Sequence, residues 1–303
     1  MKVGFIGLGG IGKPMAINIV KSGFDLTVAD LREQPLQELR GHGARVAHSP
    51  CEVAEASDIV LASLPTNEAS ELVALGHDGI LEGAAEGDIY VELSTISPTV
   101  VHSIAQKTNE KGVHLLDAPV SGGTARANEG QLSIMMGGDA TTVAQARPVL
   151  ETFAAKLFHV GDTGAGATIK LVNNLLTGIN MASAMEALVL GVKAGLSVEM
   201  MQKVISASTG KSWAFETFSD LLMTRSPEPP PGDTASMGLH TIVKDVRLAA
   251  RLADDLSVPL PIGSSAVQLF FAGLGQGWAD KENWIMMELF EQMSGVRVRP
   301  PEL

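Results

Sequence analysis

The chain has 303 residues, 45% of them hydrophobic, with a net charge of −12 and an isoelectric point near 5.0. The length suggests two domains and the composition a sizeable core. The acidic balance gives no electrostatic case for nucleic acid or an anionic membrane surface as a partner.

Residues 2–6 read as a short buried strand. Gly7, Gly9 and Gly12 follow in the spacing G-x-G-x-x-G, and the next segment is apolar at helical period through Ile11, Met15 and Ile19. In this strand–turn–helix setting the fingerprint predicts a dinucleotide site. The first glycine permits the tight turn, the second lets the backbone approach a pyrophosphate, and the third lets the helix pack close to the strand. The helix start offers free N–H groups and partial positive charge to the phosphates. The second strand, 26–29 within FDLTVAD, leads into Asp30. A carboxylate there accepts hydrogen bonds from ribose hydroxyls and repels a 2′-phosphate, which favours NAD over NADP. Arg32 keeps NADP open, since it can meet a 2′-phosphate; its simpler reading is a solvated surface arginine.

Strand-like runs continue at 59–63, 89–93 and 114–117, with helical patterns beginning near Glu33, Ser49, Asn67 and Pro98. This alternation predicts a doubly wound parallel α/β sheet. The single cysteine, Cys51, falls at the start of a short helix and reads as packing. It cannot form an internal disulfide, which fits a reducing, cytoplasmic setting. The run DAPVSGG, 117–123, follows a buried strand and ends in Ser121, Gly122 and Gly123. Such a turn offers a hydroxyl and successive backbone N–H groups, a concavity suited to a carboxylate. An ordinary glycine-rich loop has the same sequence pattern. Segments 131–137 and 156–159 read as later strands around a helix at 141–153, extending the sheet in antiparallel sense.

From 166 to 195 no proline occurs and the pattern is helical throughout, a rod of about 45 Å. Leu171, Leu175, Ile179, Met185 and Leu188 make it apolar on most of its surface, so it is expected to lie between bodies or between subunits of a homodimer or homotetramer. No run of eighteen apolar residues predicts a membrane span, and a leader peptide is not expected because the chain opens on a strand. Helices are expected at 198–206, 213–223, 237–256, 264–275 and 281–293, with a proline-rich break at 226–233. The fold class is therefore an N-terminal Rossmann-like α/β domain, 1–163, and an all-α C-terminal domain, 164–303, joined by the long helix. The seven histidines are scattered with no pair on one helical face, so no metal is expected.

Lys170 and Asn174 stand four residues apart among apolar neighbours on the long helix, and so share a face. Burying two polar groups needs a reason. One is a ligand site at the domain interface, where a desolvated lysine exchanges protons near neutral pH. The other is a lysine reaching solvent beside a packing asparagine. Spacing alone does not separate them.

Four segments together resemble the β-hydroxyacid dehydrogenases over nearly the whole chain: GFIGLGGIGKPMAINIVKSG, DAPVSGGTARANEGQLSIMMGG, GAGATIKLVNNLLTGINMASAMEAL and IVKDVRLA. The resemblance implies the two-domain fold above and an NAD(P)-dependent interconversion of a short 3-hydroxy acid with its semialdehyde or oxo acid. It places the cofactor motif on Gly7, Leu8, Gly9, Gly10, Ile11 and Gly12, and the nicotinamide beside the loops Leu64–Pro65 and Ser94–Thr95. It puts the substrate carboxylate on Ser121, Gly122 and Gly123, the catalytic lysine on Lys170 with Asn174 as its polar partner, and a cofactor- and substrate-lining pair on Lys244 and Asp245. Trp213 suggests a pocket wall, since large aromatics line small-ligand sites, whereas Phe218 reads equally as core. Asn283 and Trp284 carry no assignable role, and the terminal arginines, Arg297 and Arg299, read as solvated. Two competing functions remain at this stage: reduction of imines or other aldehyde acids on the same scaffold, and a catalytically silent dinucleotide-binding module. The retained lysine and Ser-Gly-Gly turn argue against both.

Overall fold

The computed structural model describes residues 1–224 and 238–298; the proline-rich segment 226–233, Met237 and Arg299 lie outside them. The chain divides into two compact units, Met1–Lys170 and Leu171–Leu303.

In the first unit β1 (Lys2–Ile6), α1 (Gly12–Lys21), β2 (Asp25–Ala29), α2 (Glu33–Gly41), β3 (Arg45–Val46), α3 (Pro50–Glu55), β4 (Ile59–Ala62), α4 (Asn67–Leu75), α5 (Ile80–Gly83), β5 (Ile89–Glu92), α6 (Pro98–Glu110) and β6 (His114–Asp117) follow in chain order. Then come β7 (Val120–Ser121), α7 (Gly123–Asn128), β8 (Leu132–Gly137), α8 (Ala140–Leu150) and β9 (Ala154–Gly161). The strand order is β3-β2-β1-β4-β5-β6-β8-β7, with β9 paired to β8. Pairing is parallel from β3 to β6; β8 then runs antiparallel to β6 and β7, and β9 runs parallel to β8. The expected antiparallel extension is therefore present. The strands are apolar on both faces because both are covered. Val3, Phe5 and Leu61 join one core, and the intervening Ile6, Val60 and Ala62 join the other. Ser49, Thr66, Ser97 and Asp139 each accept a backbone N–H at a helix start, which fixes where α3, α4, α6 and α8 begin.

Helix α9 (Ala165–Lys193) starts in the first unit and continues into the second, where α10 (Val198–Ile205), α11 (Trp213–Thr224), α12 (Leu239–Asp255), α13 (Pro261–Gly275) and α14 (Met286–Ser294) complete the fold. The last helix begins later than expected because residues Asn283–Ile285 wind as a 3₁₀ turn. By length and composition alone α9 could cross a membrane, with a mean hydropathy of 1.6 over its best window. Its apolar residues have another use. Met181, Met185 and Leu188 fill the helical core with Phe218 and Phe270, and Leu171 packs on Leu248 and Ala249. Gly178 admits Val246 so closely that an added Cβ would stand 2.6 Å from its methyl group. Burial is not complete around the circumference: Ile169, Val172, Leu176 and Leu190 stay exposed.

Candidate active site

The turn between β1 and α1 meets the three demands of its fingerprint separately. Gly7 has φ +89°, and an added Cβ would stand 2.3 Å from the Ser63 carbonyl oxygen. At Gly12 the Cβ would meet the Gly7 carbonyl oxygen at 2.0 Å, so helix and strand approach as only glycine allows. Gly9 has open space where a Cβ would be. No side chain caps the start of α1 and no acidic residue stands in its first turn, which leaves that end suited to an anion.

Asp30 lies just beyond β2, its side chain 7% exposed. It accepts from the Leu8 amide at 2.6 Å and the Arg32 amide at 2.8 Å. The Arg32 guanidinium adds Nε–Oδ1 at 3.0 Å and Nη2–Oδ2 at 3.1 Å, and also donates to the Leu8 carbonyl oxygen at 3.0 Å. Burial pushes this carboxyl up, but the Arg32 and Leu8 hydrogen bonds outweigh it and hold the group below its usual range. Arg32 is the surface arginine expected, its side chain 61% exposed, but it is also engaged. Its planar fork grips the carboxylate that the sequence assigned to the ribose. The Leu8 side chain itself is core, 2% exposed.

The two loops expected beside a nicotinamide are tied together. The Leu64 amide donates to Ser94 Oγ at 2.7 Å, and the Ser94 amide donates to Glu92 Oε1 at 2.9 Å. Tyr90 Oη donates to Glu92 Oε2 at 2.6 Å. Glu92 is 1% exposed, and burial raises its carboxyl against these hydrogen bonds. The sequence reading missed Glu92. The available signal was a carboxylate inside the apolar strand IYVEL, with Tyr90 two residues away on the same face.

At the other end of the sheet β7 pairs Ser121 with Ser133 and then turns through Gly122 at φ +141° and Gly123 at φ +73° into α7. Both signs favour glycine. Ser121 is half-buried and no side chain caps α7. On α9, Lys170 and Asn174 are each 8% exposed, so the lysine does not reach freely into solvent. Asn174 Nδ2 donates to Asp245 Oδ2 at 2.6 Å, and its Oδ1 accepts from Asn173 at 3.0 Å. Lys244 Nζ lies 3.2 Å from Asp245 Oδ1 without hydrogen-bond alignment, which leaves that buried oxygen with no hydrogen-bond donor among the described residues.

Comparison with known proteins agrees with this geometry. Residues 2–161 match the NAD binding domain of 6-phosphogluconate dehydrogenase, and residues 164–290 match the NAD-binding region of NADP-dependent 3-hydroxyisobutyrate dehydrogenase. The 2-(hydroxymethyl)glutarate dehydrogenase of Eubacterium barkeri is 40% identical over 299 residues, 98% of this chain and 97% of that one. The chain belongs to the β-hydroxyacid dehydrogenase family. A 3-hydroxyisobutyrate dehydrogenase of Pseudomonas aeruginosa is 38% identical, covering 88% of this chain and 90% of that one. The 3-hydroxyisobutyrate dehydrogenase of Mycobacterium tuberculosis, solved with L-serine, superposes with a TM-score of 0.84 at 31% identity, covering 95% and 98%.

As a β-hydroxyacid dehydrogenase the chain is an NAD(P)-dependent oxidoreductase. Its own residues fit the dinucleotide: an open Gly9 and an uncapped start of α1. Of the two aromatics singled out in sequence, Phe218 is core at 4% exposure, whereas Trp213 stands 61% exposed at the start of α11. Trp284 packs against the helical core.

Proposed function

We propose that this dehydrogenase interconverts a short 3-hydroxy acid with its semialdehyde, using NAD in preference to NADP and Lys170 as general acid/base. Lys170 carries the reading: a cationic side chain 8% exposed on an apolar helix, one turn from an asparagine that is itself held by a buried aspartate. The names of the relatives narrow the substrate class. 2-(Hydroxymethyl)glutarate, 3-hydroxyisobutyrate and L-serine share one skeleton, HOCH₂–CH(X)–COO⁻, and differ only in X.

On that skeleton the Ser121 hydroxyl and the Gly122 and Gly123 amides receive the carboxylate. Lys170 Nζ takes the hydroxyl proton as the carbon–oxygen double bond forms, and returns it in the reverse direction. Asn174 orients the hydroxyl, its own amide fixed by Asp245. A bound nicotinamide supplies the acceptor for the hydride and its electron pair. Asp30 supports NAD, since a carboxylate at the end of β2 disfavours a 2′-phosphate.

A panel of HOCH₂–CH(X)–COO⁻ acids with X methyl, ammonium or carboxyethyl, offered with NAD and with NADP, tests the reading by absorbance of the reduced cofactor. Turnover of at least one acid with NAD is expected. Turnover of none, alongside reduction of a cyclic imine, would replace the proposal with an imine reductase.

We also propose that copies associate through the exposed apolar stripe Ile169, Val172, Leu176 and Leu190 of α9. Light scattering at micromolar concentration should give a multiple of 31.7 kDa. A concentration-independent monomer mass would refute it.

A further inference from the structure

The carboxylate-turn strand and the lysine helix meet at one residue, Asp117, that the proposed chemistry does not use. It ends β6, four positions before Ser121. It is 1% exposed, and each oxygen accepts one amide from the start of α9: Gly164 N–Oδ1 at 2.8 Å and Ala167 N–Oδ2 at 2.7 Å. Lys170 follows Ala167 by three residues, about 4.5 Å further along the helix.

The joint has no slack. An added Cβ on Gly166 would stand 2.4 Å from the Met135 carbonyl oxygen and 2.5 Å from that of Asp117. On Gly137, which pairs with Asp117 across β6 and β8, it would stand 2.5 Å from Asp117 Oδ1. Burial pushes the Asp117 carboxyl up to about 6 against its amide hydrogen bonds. The group is thus kept inside at a cost, and the neighbours that crowd it are backbone and glycine.

We propose that Asp117 is a positioning residue for proton transfer: its two oxygens clamp the start of α9 to the end of β6 and so fix Lys170 relative to the Ser121–Gly123 turn. A helix end held at one point can rotate about it. Held at two amides three residues apart, it cannot. A rotation of about 25° would carry a side-chain base on a 10 Å helix by roughly 2 Å, and a misplacement of about 1 Å is enough to cost two orders of magnitude in rate. The inference rests on the proposed role of Lys170.

Asp117→Asn keeps the volume but replaces one acceptor with a donor that faces an N–H, so one of the two bonds is lost. Measured per folded active site, kcat should fall by about 10- to 100-fold, and the pH limb of kcat should shift because the displaced lysine changes surroundings. Affinity for reduced cofactor, followed by its fluorescence, should stay unchanged. A purely structural role would lower the yield of folded enzyme and leave both kcat per site and the pH limb alone. Should the variant fold poorly, hydrogen exchange of the wild-type segment 162–170 gives a second reading. The Gly164 and Ala167 amides should be strongly protected, and fast exchange there would overturn the clamp. Normal kcat and pH profile in Asp117→Asn beside an inactive Lys170→Ala would also overturn it. An active Lys170→Ala would instead overturn the reading of the lysine on which the clamp rests.

Discussion

Two glycine-rich turns hang from the carboxyl edge of one sheet, and they need glycine for different reasons. In the turn Gly7–Gly12 the demand is chiefly steric, with Gly7 also at φ +89°. Two of its glycines are forced by backbone contacts of 2.3 and 2.0 Å, while Gly9 between them faces open space. In the turn Ser121–Gly123 the demand is conformational. Gly122 and Gly123 take φ +141° and +73°, and the contacts an added Cβ on Gly122 would make are with side chains, Leu132 and Arg126, at 3.0–3.1 Å. The first turn is built by packing a helix against a strand and leaves one gap, at Gly9, to which we assign a phosphate. The second is built by reversing the chain through two left-handed glycines beside one hydroxyl, the turn to which we assign the substrate carboxylate.

Substitutions that add one methyl group separate these accounts. Gly12→Ala should have the largest effect, because its neighbour is backbone and cannot move aside. It should cost about 1–3 kcal/mol or more in chemical denaturation and weaken cofactor binding by roughly 100-fold in a fluorescence titration. If cofactor affinity survives, the close approach of α1 to β1 is not what forms the site. Gly122→Ala should come next, with backbone strain of about 1–3 kcal/mol. Its kinetic signature should be a raised KM for the hydroxy acid with cofactor affinity untouched; a change in cofactor affinity instead would remove the carboxylate role of the second turn. Gly9→Ala should be mildest in stability, within about 0.5 kcal/mol of wild type, since its Cβ meets nothing. It should still weaken the cofactor by roughly tenfold if a pyrophosphate occupies that gap. Unchanged affinity would place the phosphates elsewhere.

The two turns also differ in how far the sequence revealed them. The first was legible because its steric demands leave a fixed spacing between a strand and an apolar-periodic helix. The main strands were legible for a related reason: runs such as VGFI and IVLA are apolar on both faces. β3 and β7 were not, since two paired residues leave no period to read. The second turn gave only a glycine pair, which every loose loop can share; its φ signs and its pairing to β8 appear only in three dimensions. The lysine was ambiguous because spacing shows a shared face but not whether that face is covered. Burial at 8% settled that point, and neither composition nor period contains it. Arg32 was legible as a surface arginine but not as a partner of Asp30, because the two lie two residues apart, where a bent backbone rather than a regular element brings the groups together. The polar network from Tyr90 through Glu92 and Ser94 to Leu64 joins two loops thirty residues apart, a link no local pattern encodes.

We assign the substrate proton transfer to a buried lysine at the start of the long helix. Steady-state kinetics of Lys170→Ala on the best acid of the panel, with cofactor affinity measured on the same sample, tests it most directly. On this assignment kcat should fall by about 10² to 10⁴ while cofactor affinity holds, since Lys170 lies outside the Gly7–Gly12 turn assigned to the dinucleotide. A kcat within about tenfold of wild type would contradict it, because a general acid/base contributes more than that to the step it serves.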